Sequence, residues 1–455
     1  MYRTAYDIEG YRIPFKYDGL LYPLPVIQAI INDEIVCSLV LDTGSNIPLL
    51  INESFAKQCG LNSADMGKVL PTLGAIRKVQ LRSVQFQGTD AQNHLRFRGA
   101  PWGYVANLSP LAVAFPESIA GIVGAPVLRE AVVLFDFARN LLTLNYSKPS
   151  LSFAIGQYVP LKTTHNVWMV QGVTHQKVKV SFMVDTGDAS CSIPIQAMRG
   201  KDIKTTATMY FSGSDGGFVF TREFLIPYIK IGSRALTEIV CVPSYGTYGT
   251  LGMDALTIYS QVLFDLPHQR MVLSEPRKAS RLRGETGITL LFSQDGCRIA
   301  AVAEWSPARH TSLKVGDKVI AIDKHPIAGL PPVVVRRLLD GFAGAHATLR
   351  VERNSGASMT VRFPRVSVFE HPSALCVDCD LLKKEGEPLT VLHVSGSNTT
   401  RVPLTPGDQL LQINGRITTH MGAEDLMELL TDTRTPCEIQ IKRHHSGEVV
   451  TLTVR

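Results

Sequence analysis

One short motif, which occurs twice, constrains the fold more than any other feature of this 455-residue chain. Residues 39–45 read Leu-Val-Leu-Asp-Thr-Gly-Ser, and residues 182–188 read Phe-Met-Val-Asp-Thr-Gly-Asp. In each copy the apolar run predicts a buried strand, and the glycine predicts a tight turn directly after it. Such a turn holds a carboxylate at the end of a strand. Aspartate and glycine are ordinary turn residues, so the repetition makes the motif informative.

A second pattern follows each copy at almost the same spacing. Gly124 begins the sequence Gly-Ala-Pro-Val-Leu, and Gly252 begins Gly-Met-Asp-Ala-Leu. A strand that ends in Leu-Phe-Asp comes next in both, at residues 132–136 and 261–265. The recurrence of strand, glycine, short helix and strand in one order indicates an internal duplication of one folding unit.

These motifs resemble the aspartic peptidases, specifically the bacterial retropepsin-like (clan AA) branch. In that family two such lobes meet, either as two subunits of a dimer or within one chain. The resemblance covers about residues 11–276 and implies a mainly β chain. It implies two retropepsin-like acid-protease lobes, at residues 1–147 and 148–276, which form a pseudo-dimer. It requires no metal and no organic cofactor.

The chemistry follows from two carboxylates, Asp42 and Asp185, held close together. Two such groups cannot both ionise cheaply, so they share a proton and titrate as a pair. The ionised member takes a proton from a water, and the protonated member polarises a substrate carbonyl. We therefore expect Asp42 and Asp185 to be the catalytic dyad.

The resemblance also assigns supporting roles around the dyad. The threonines would brace the two loops through hydroxyl hydrogen bonds, and the adjacent glycines would let backbone approach the carboxylates. Two later glycines would lie in the psi loops. These residues are Thr43, Gly44, Ser45, Thr186, Gly187, Gly124 and Gly252.

The second motif departs from the family pattern at Asp188, where the first motif has Ser45. A third carboxylate near the dyad would raise the cost of ionising it. Alternatively, Asp188 points away or binds a substrate group. A smaller departure is Thr250, which stands before Leu251 where the pattern has an apolar residue.

Each lobe should carry a hairpin over the cleft. In the second lobe the candidates are Gly213, Gly216 and Gly217, with Tyr210 on the preceding strand. Glycines at a hairpin tip favour a mobile flap that excludes water. In the first lobe the candidate stretch is residues 70–75, which includes Gly74. Both stretches are also compatible with plain hairpin loops, and Tyr210 with an exposed strand residue.

A second internal duplication occupies the end of the chain. Residues 313–323 match residues 404–414, and Gly316 and Gly407 lie 91 residues apart. An amphipathic helix and a closing strand follow each copy. Both copies resemble PDZ domains, so we predict PDZ-like α+β domains at residues 285–366 and 367–455, after a basic linker at residues 277–284.

A PDZ fold captures a peptide, often a C-terminus, as a strand added beside a helix. In the first copy the carboxylate-binding loop is expected near four residues: Gly287, Ile288, Thr289 and Leu290. The second copy lacks the Ser-Pro-Ala turn found at residues 306–308. Either each copy binds a peptide, or one or both have lost the groove and only dock on the peptidase lobes.

Other features exclude several classes of protein. The net charge is +6 with no Lys/Arg block, which argues against nucleic-acid binding. No apolar run is long enough to span a membrane. The eight cysteines show no zinc-finger spacing, and Cys376 and Cys379 favour either a local disulfide or two ordinary thiols. The polar N-terminus predicts a periplasmic or secreted protein if a leader was removed, and a cytoplasmic one otherwise. The oligomeric state stays open.

The leading hypothesis is an aspartic endopeptidase that hydrolyses peptide bonds of protein substrates. Its PDZ domains would bind substrate, gate activity or mediate dimerisation, with a C-terminal peptide as a further ligand. A tethered PDZ domain would raise the effective concentration of a captured peptide at the cleft. The alternative is a catalytically idle peptide-binding adaptor built on the same fold.

Overall fold

The computed structural model describes residues 9–61, 69–70, 74–98, 102–108, 111, 113–147, 158–198, 203–212, 217–276, 282–377, 379–394, 404–431 and 436–454. These residues are mainly β, which confirms the predicted fold class. They form two compact units. The first unit comprises Met1–Lys68, Ala75–Lys201 and Ile226–His371, and the second comprises Val69–Gly74, Asp202–Leu225 and Pro372–Arg455. No helix in these ranges is long and apolar enough to cross a membrane.

In its described residues the first lobe contains short strands and short helices. The strands are β1 (Tyr11–Lys16), β2 (Val26–Ile31), β3 (Ile35–Asp42), β4 (Leu49–Asn52), β5 (Val69–Leu70), β6 (Gly74–Ala75), β7 (Arg77–Gln80), β8 (Ser83–Phe86), β9 (Leu95–Arg98), β10 (Trp102–Ala106), β11 (Gly121–Gly124), β12 (Val132–Asp136) and β13 (Leu141–Asn145). The helices are α1 (Glu53–Gln58) and α2 (Ala125–Leu128).

Strand β3 carries the first Asp-Thr-Gly motif. Its residues Cys37 to Leu41 are all buried, which explains the unbroken apolar run. A tight turn joins it to β2, with Asn32 and Asp33 at φ of 55° and 70°. Asparagine and aspartate tolerate this left-handed conformation, and such turns match the twist of a hairpin.

The second lobe repeats the plan. Its strands are β14 (Tyr158–Pro160), β15 (Lys162–Thr164), β16 (Val167–Thr174), β17 (Lys179–Val184), β18 (Cys191–Pro194), β19 (Lys204–Ser212), β20 (Gly217–Ile231), β21 (Arg234–Ser244), β22 (Gly249–Leu251), β23 (Gln261–Asp265) and β24 (Arg270–Leu273), and its helix is α3 (Met253–Leu256). Strands β19 and β20 up to Leu225 belong to the second unit.

An antiparallel sheet joins the two lobes within the first unit, in the order β14-β24-β23-β12-β13-β1. Strands β12 and β23 are its centre, with Leu134 opposite Leu263. These leucines form a buried cluster with Val132 and Val272. Because matching strands meet side by side, the sheet brings the two duplicated halves together as a pseudo-symmetric pair.

The first PDZ-like copy also belongs to the first unit. It contains β25 (Gly284–Glu285), β26 (Ile288–Ser293), β27 (Gly296–Val302), β28 (Lys318–Ile322), β29 (His325–Pro326), α4 (Pro332–Asp340), β30 (His346–Glu352), β31 (Ser358–Pro364) and β32 (Val366–Ser367). Arg337 of α4 donates hydrogen bonds to the first lobe, at the carbonyls of Leu20, Leu21 and Ala114. Burial lowers the pKa of Arg337 to about 10, so it stays cationic at neutral pH.

The rest of the second unit is the second PDZ-like copy. It contains β33 (Cys379–Lys383), β34 (Leu389–Val394), β35 (Gln409–Ile413), β36 (Arg416–Ile417), α5 (Ala423–Thr431), β37 (Cys437–Lys442) and β38 (Val449–Val454). All eight cysteines of the chain are free, so Cys376 and Cys379 are two thiols, not a local disulfide. The Cys376 thiol is hydrogen-bonded to that of Cys437.

Candidate active site

The two Asp-Thr-Gly loops sit on equivalent three-strand frameworks in the first unit. In the first lobe β11 lies between β3 and β4, parallel to β3, and Gly124 is opposite Asp42. In the second lobe β22 lies between β17 and β18 in the same way. Each loop therefore leaves a central buried strand at its carboxyl end.

Gly124 and Gly252 occupy equivalent places beside the two loops. A Cβ on Gly124 would lie 2.0 Å from the Ile47 carbonyl oxygen, and one on Gly252 would lie 2.0 Å from that of Ser190. Both distances are far too short for any side chain. Glycine is therefore required where each later strand passes the Asp-Thr-Gly loop.

The two threonines cross-link the loops symmetrically. The Thr43 amide donates to Thr186 Oγ1 at 3.1 Å, and the Thr186 amide donates to Thr43 Oγ1 at 3.0 Å. Each hydroxyl then donates to the opposite strand, Thr43 to the Val184 carbonyl and Thr186 to the Leu41 carbonyl, both at 2.8 Å. All four groups are buried, so this network fixes the distance between the loops.

The network places the two carboxylates together. The side chains of Asp42 and Asp185 are hydrogen-bonded to each other. A Cβ on Gly44 would lie 2.2 Å from Asp185 Oδ2, and a Cβ on Gly187 would lie 2.2 Å from the Asp42 carboxyl carbon. Each carboxylate thus packs against the glycine of the opposite loop, where only a residue without a side chain fits.

Backbone amides hold each carboxylate in place. Asp42 Oδ1 accepts from the amides of Gly44 at 2.9 Å and Ser45 at 2.8 Å. Asp185 Oδ1 accepts from the Gly187 amide at 2.7 Å. These donors favour the ionised form of each carboxylate.

Burial raises the pKa of both acids above that of an ordinary aspartate. For Asp42 the proximity of Asp185 adds to this effect, so its pKa lies well above the usual range. For Asp185 burial raises the pKa, and the hydrogen bond from Asp42 partly opposes that rise. Both shifts favour retention of a proton by the coupled pair, an arrangement that suits general acid–base work.

Asp188 lies close enough to act on the same pair. Burial, then the charges of Asp185 and Asp254, raise the pKa of Asp188 to about 7, while the Ser190 amide donates to its Oδ1 at 3.0 Å. The charge of Asp185 therefore acts on Asp188, as expected for a third carboxylate near the dyad, and a contact with substrate stays a prediction. Sequence reasoning missed Asp254, although a comparison of Gly-Ala-Pro with Gly-Met-Asp after the two psi-loop glycines would have revealed it.

Of the predicted flap residues, Gly74, Tyr210 and Gly217 are described and belong to the second unit. Gly213 and Gly216 lie outside the described residues. Gly217 pairs with Ser212 across the hairpin formed by β19 and β20, and Tyr210 stands on β19 opposite Val219. Gly74 begins β6, which pairs with β5.

The predicted peptide-binding residues of the first PDZ-like copy lie at the start of β26. Gly287 precedes the strand with φ of 67°, and Ile288 and Leu290 point into the core while Thr289 is exposed. Within the described residues, β26 is an edge strand that pairs with β27 alone. Its free edge is the kind of surface to which an extended peptide adds.

No candidate metal site of three or more His, Cys, Asp or Glu side chains occurs in the described part of the chain.

Comparison with known proteins gives no match to a family model and none to a curated protein.

Partial likenesses to solved structures exist. A retropepsin-like aspartic protease from Rickettsia conorii matches 32% of this chain and 97% of its own, with 18% identity and a TM-score of 0.21. The serine endoprotease from Yersinia pestis matches 53% of this chain and 94% of its own, with 15% identity and a TM-score of 0.18. The photosystem II D1 C-terminal processing protease matches 20% of this chain, with 19% identity and a TM-score of 0.18, and this chain spans 25% of its length.

Proposed function

We propose that the chain is an aspartic endopeptidase in which Asp42 and Asp185 activate a water against a peptide bond. The observation that supports this most strongly is the crossed network of Thr43 and Thr186, which joins the two loops. A scaffold that only bound peptides would not need two carboxylates packed in hydrogen-bonding contact, since bringing them together costs free energy.

The reaction uses the pair as one acid and one base. The ionised carboxylate takes a proton from the bound water, whose oxygen attacks the carbonyl carbon. The protonated carboxyl donates its hydrogen bond to the carbonyl oxygen, where negative charge develops. Transfer of a proton to the amide nitrogen then releases the amine. Which acid starts with the proton is a property of the coupled pair.

The first PDZ-like copy would present protein substrates to this site. Its open edge at β26 suits the addition of an extended peptide, and Arg337 holds its helix against the first lobe. A peptide captured there stays at high effective concentration near the same unit that carries the carboxylates.

The test is cleavage of an unbiased peptide mixture between pH 3 and pH 8. Asp42→Asn and Asp185→Asn should each reduce cleavage at least about 1000-fold, because each removes one half of the acid–base pair. Asp295→Asn, an exposed aspartate between β26 and β27, is the matched control and should cleave like wild type. A folded wild-type protein that cleaves nothing at any pH would favour the peptide-binding adaptor instead.

A further inference from the structure

The two PDZ-like copies correspond strand by strand. The pairing of β26 with β27 shifts register between Thr289 and Leu290, and that of β33 with β34 shifts between Asp380 and Leu381, 91 residues later. A second shift, in β28 and in β35, recurs at the same offset. Strand β33 of the second copy is therefore the counterpart of β26, which in the described part of the first copy pairs with β27 alone.

The edge of β33 is filled by the chain itself. Strand β20 runs antiparallel beside it, with Phe218 opposite Lys383, Val219 opposite Leu382 and Phe220 opposite Leu381. An added antiparallel strand at this position is how a PDZ fold binds a peptide. The hairpin strands β19 and β20, the latter up to Leu225, thus occupy the position of a ligand.

Side chains of the hairpin complete the core of the second copy. Phe220 is fully buried and belongs to the same cluster as Leu381 of β33 and Leu426 and Leu430 of α5. Phe218 and Met209, from the two hairpin strands, pack against this cluster. Burial of a phenylalanine in the core makes Phe220 the anchor of the hairpin.

Polar groups fix the same register. The buried Thr221 hydroxyl donates to the buried Asp380 carboxylate. On β19 the Ala207 amide donates to the Ser373 carbonyl at 2.9 Å. Gly217 passes so close to β33 that a Cβ there would lie 2.3 Å from the Lys383 carbonyl oxygen. The contact is thus specific in hydrogen bonding and in shape, and involves both hairpin strands.

We propose that the edge of β33 is a peptide-binding site whose resident ligand is the chain's own strand pair, β19 and β20 up to Leu225. The ligand class is an extended strand with phenylalanine at alternate positions, as at 218 and 220, and a hydroxyl at the position of Thr221. A free peptide of this class binds the second copy only when the hairpin leaves. Because no described strand other than β27 pairs with β26, the first copy is the one available to peptides in the resting protein. This inference does not require the chain to be a peptidase.

The test uses the full chain with Asp42→Asn, which prevents cleavage of the probe. The probe is a fluorescent peptide with the sequence of residues 217–225, Gly-Phe-Val-Phe-Thr-Arg-Glu-Phe-Leu, followed by anisotropy. A tethered hairpin competes at an effective concentration in the millimolar range. We therefore expect Phe220→Asp, which ejects the hairpin, to bind the probe at least about 100-fold more tightly than the unreleased chain.

A reversible clamp supplies the internal control. Val219→Cys with Leu382→Cys places cysteines at directly opposite positions, where Cα atoms lie about 4.5–5.5 Å apart and a disulfide can form. Phe220→Asp combined with this pair should bind the probe when reduced and lose binding when oxidised. Probe bound at the open edge of β26 would not respond to oxidation. Tyr228→Asp, an exposed aromatic of β20 outside the β33 pairing, should leave probe binding at the level of the unreleased chain.

Hydrogen exchange shows whether a variant releases only the hairpin or unfolds the whole second copy. Phe220→Asp should accelerate exchange of those amides of residues 379–383 that face β20 by about 100-fold, while amides that bond to β34, and those of β35 and β37, stay protected. Faster exchange at β35 and β37 as well would mean that Phe220→Asp unfolds the second copy. In that case Thr221→Val, which removes one hydrogen bond, is used instead and should show the same pattern with about 10-fold faster exchange. Equal probe binding by oxidised and reduced chains, or unchanged exchange at residues 379–383 in the released variant, would overturn the proposal.

Discussion

Replacing Asp188 by asparagine removes a third carboxylate from the dyad while preserving its shape. The amide oxygen of the introduced asparagine can still accept the hydrogen bond that the Ser190 amide donates to Asp188. Burial and the charge of Asp185 hold the pKa of Asp188 at about 7, against 3.8 for an unperturbed aspartate. Any effect of the substitution on stability should therefore appear only above about pH 4, where Asp188 of the unfolded chain ionises.

The sign of the effect on stability follows from this raised pKa. Between about pH 4 and pH 7 the unfolded chain loses the Asp188 proton while the folded chain keeps it, so stability falls as the pH rises through this window. The loss reaches at most about 4 kcal/mol at pH 8, an upper limit because Asp185 and Asp254 titrate with Asp188. Asp188→Asn should be neutral at pH 4 and stabilise the first unit by up to this amount at pH 8.

Tryptophan fluorescence is the appropriate assay. Trp102, Trp168 and Trp305 are the three tryptophans of the chain, and all fall within the ranges of the first unit. Urea unfolding followed by tryptophan emission therefore reports the unfolding of the first unit and not that of the second. The free energy of unfolding should be compared at pH 4 and pH 8 for wild type, Asp188→Asn and Asp188→Ser.

Two controls make the result decisive. Asp188→Ser converts the second motif into the first, which has Ser45, and should behave like the asparagine variant at pH 8 if the charge alone matters. Glu304→Gln removes an exposed carboxylate and should change stability at neither pH. An equal gain at pH 4 and pH 8, or none at pH 8, would refute the argument that a buried Asp188 charge destabilises the site.

Three further predictions follow from the site and its support. Thr43→Val should destabilise the first unit by about 1–3 kcal/mol in urea, because it leaves the Thr186 amide and the Val184 carbonyl without partners, whereas Thr43→Ser should restore most of the loss. Gly44→Ala should reduce kcat at least about 100-fold with little change in circular dichroism, since its Cβ would displace the Asp185 carboxylate. Arg337→Ala should speed proteolysis of the loop around Leu20, with Arg337→Lys intermediate, because lysine cannot reach several carbonyls in one plane.

The outcomes that would contradict these predictions are equally specific. Equal stability of the valine and serine variants would mean that the threonine network contributes nothing to the loops. Full activity of Gly44→Ala would mean that Asp185 works from another position. Unchanged proteolysis in Arg337→Ala would mean that the three carbonyl contacts do not hold the loop.

The pH dependence of activity tests the influence of Asp188 on the dyad. The basic limb of the kcat/KM profile should move about one pH unit lower in Asp188→Asn, because the substitution removes a negative charge beside the pair.

The centre of the fold was predictable because its constraints are local and repeated. Asp42 and Asp185 each stand at the end of an apolar run, and Gly124 and Gly252 recur at matching positions. A duplicated pattern of strand, turn and glycine can be read from one chain without any knowledge of distant contacts. The turn at Asn32 and Asp33 is likewise local, because both residue types tolerate its left-handed conformation.

The residues that the sequence could not place are those fixed by contacts between distant segments. Phe220 has the pattern of any strand residue, and nothing near it in the sequence indicates that Leu381 lies opposite. Gly217 fits the pattern of a mobile hairpin tip. In the structure, however, glycine is required there because the strand passes too close to Lys383 for any side chain. The carbonyl acceptors of Leu41 and Val184 belong to the backbone, so no residue type could have revealed them.

In both duplications the two copies differ at a position that bears on function. A dimer of identical chains must carry every substitution on both sides of its axis, so an acid at position 188 would have to appear beside both carboxylates. In one continuous chain the two positions can carry different residues, Ser45 and Asp188. The two strand edges can likewise differ, since β33 pairs with β20 and β26 has no such described partner. Fusion therefore lets one half of each pair keep the shared architecture while the other acquires a chemistry of its own.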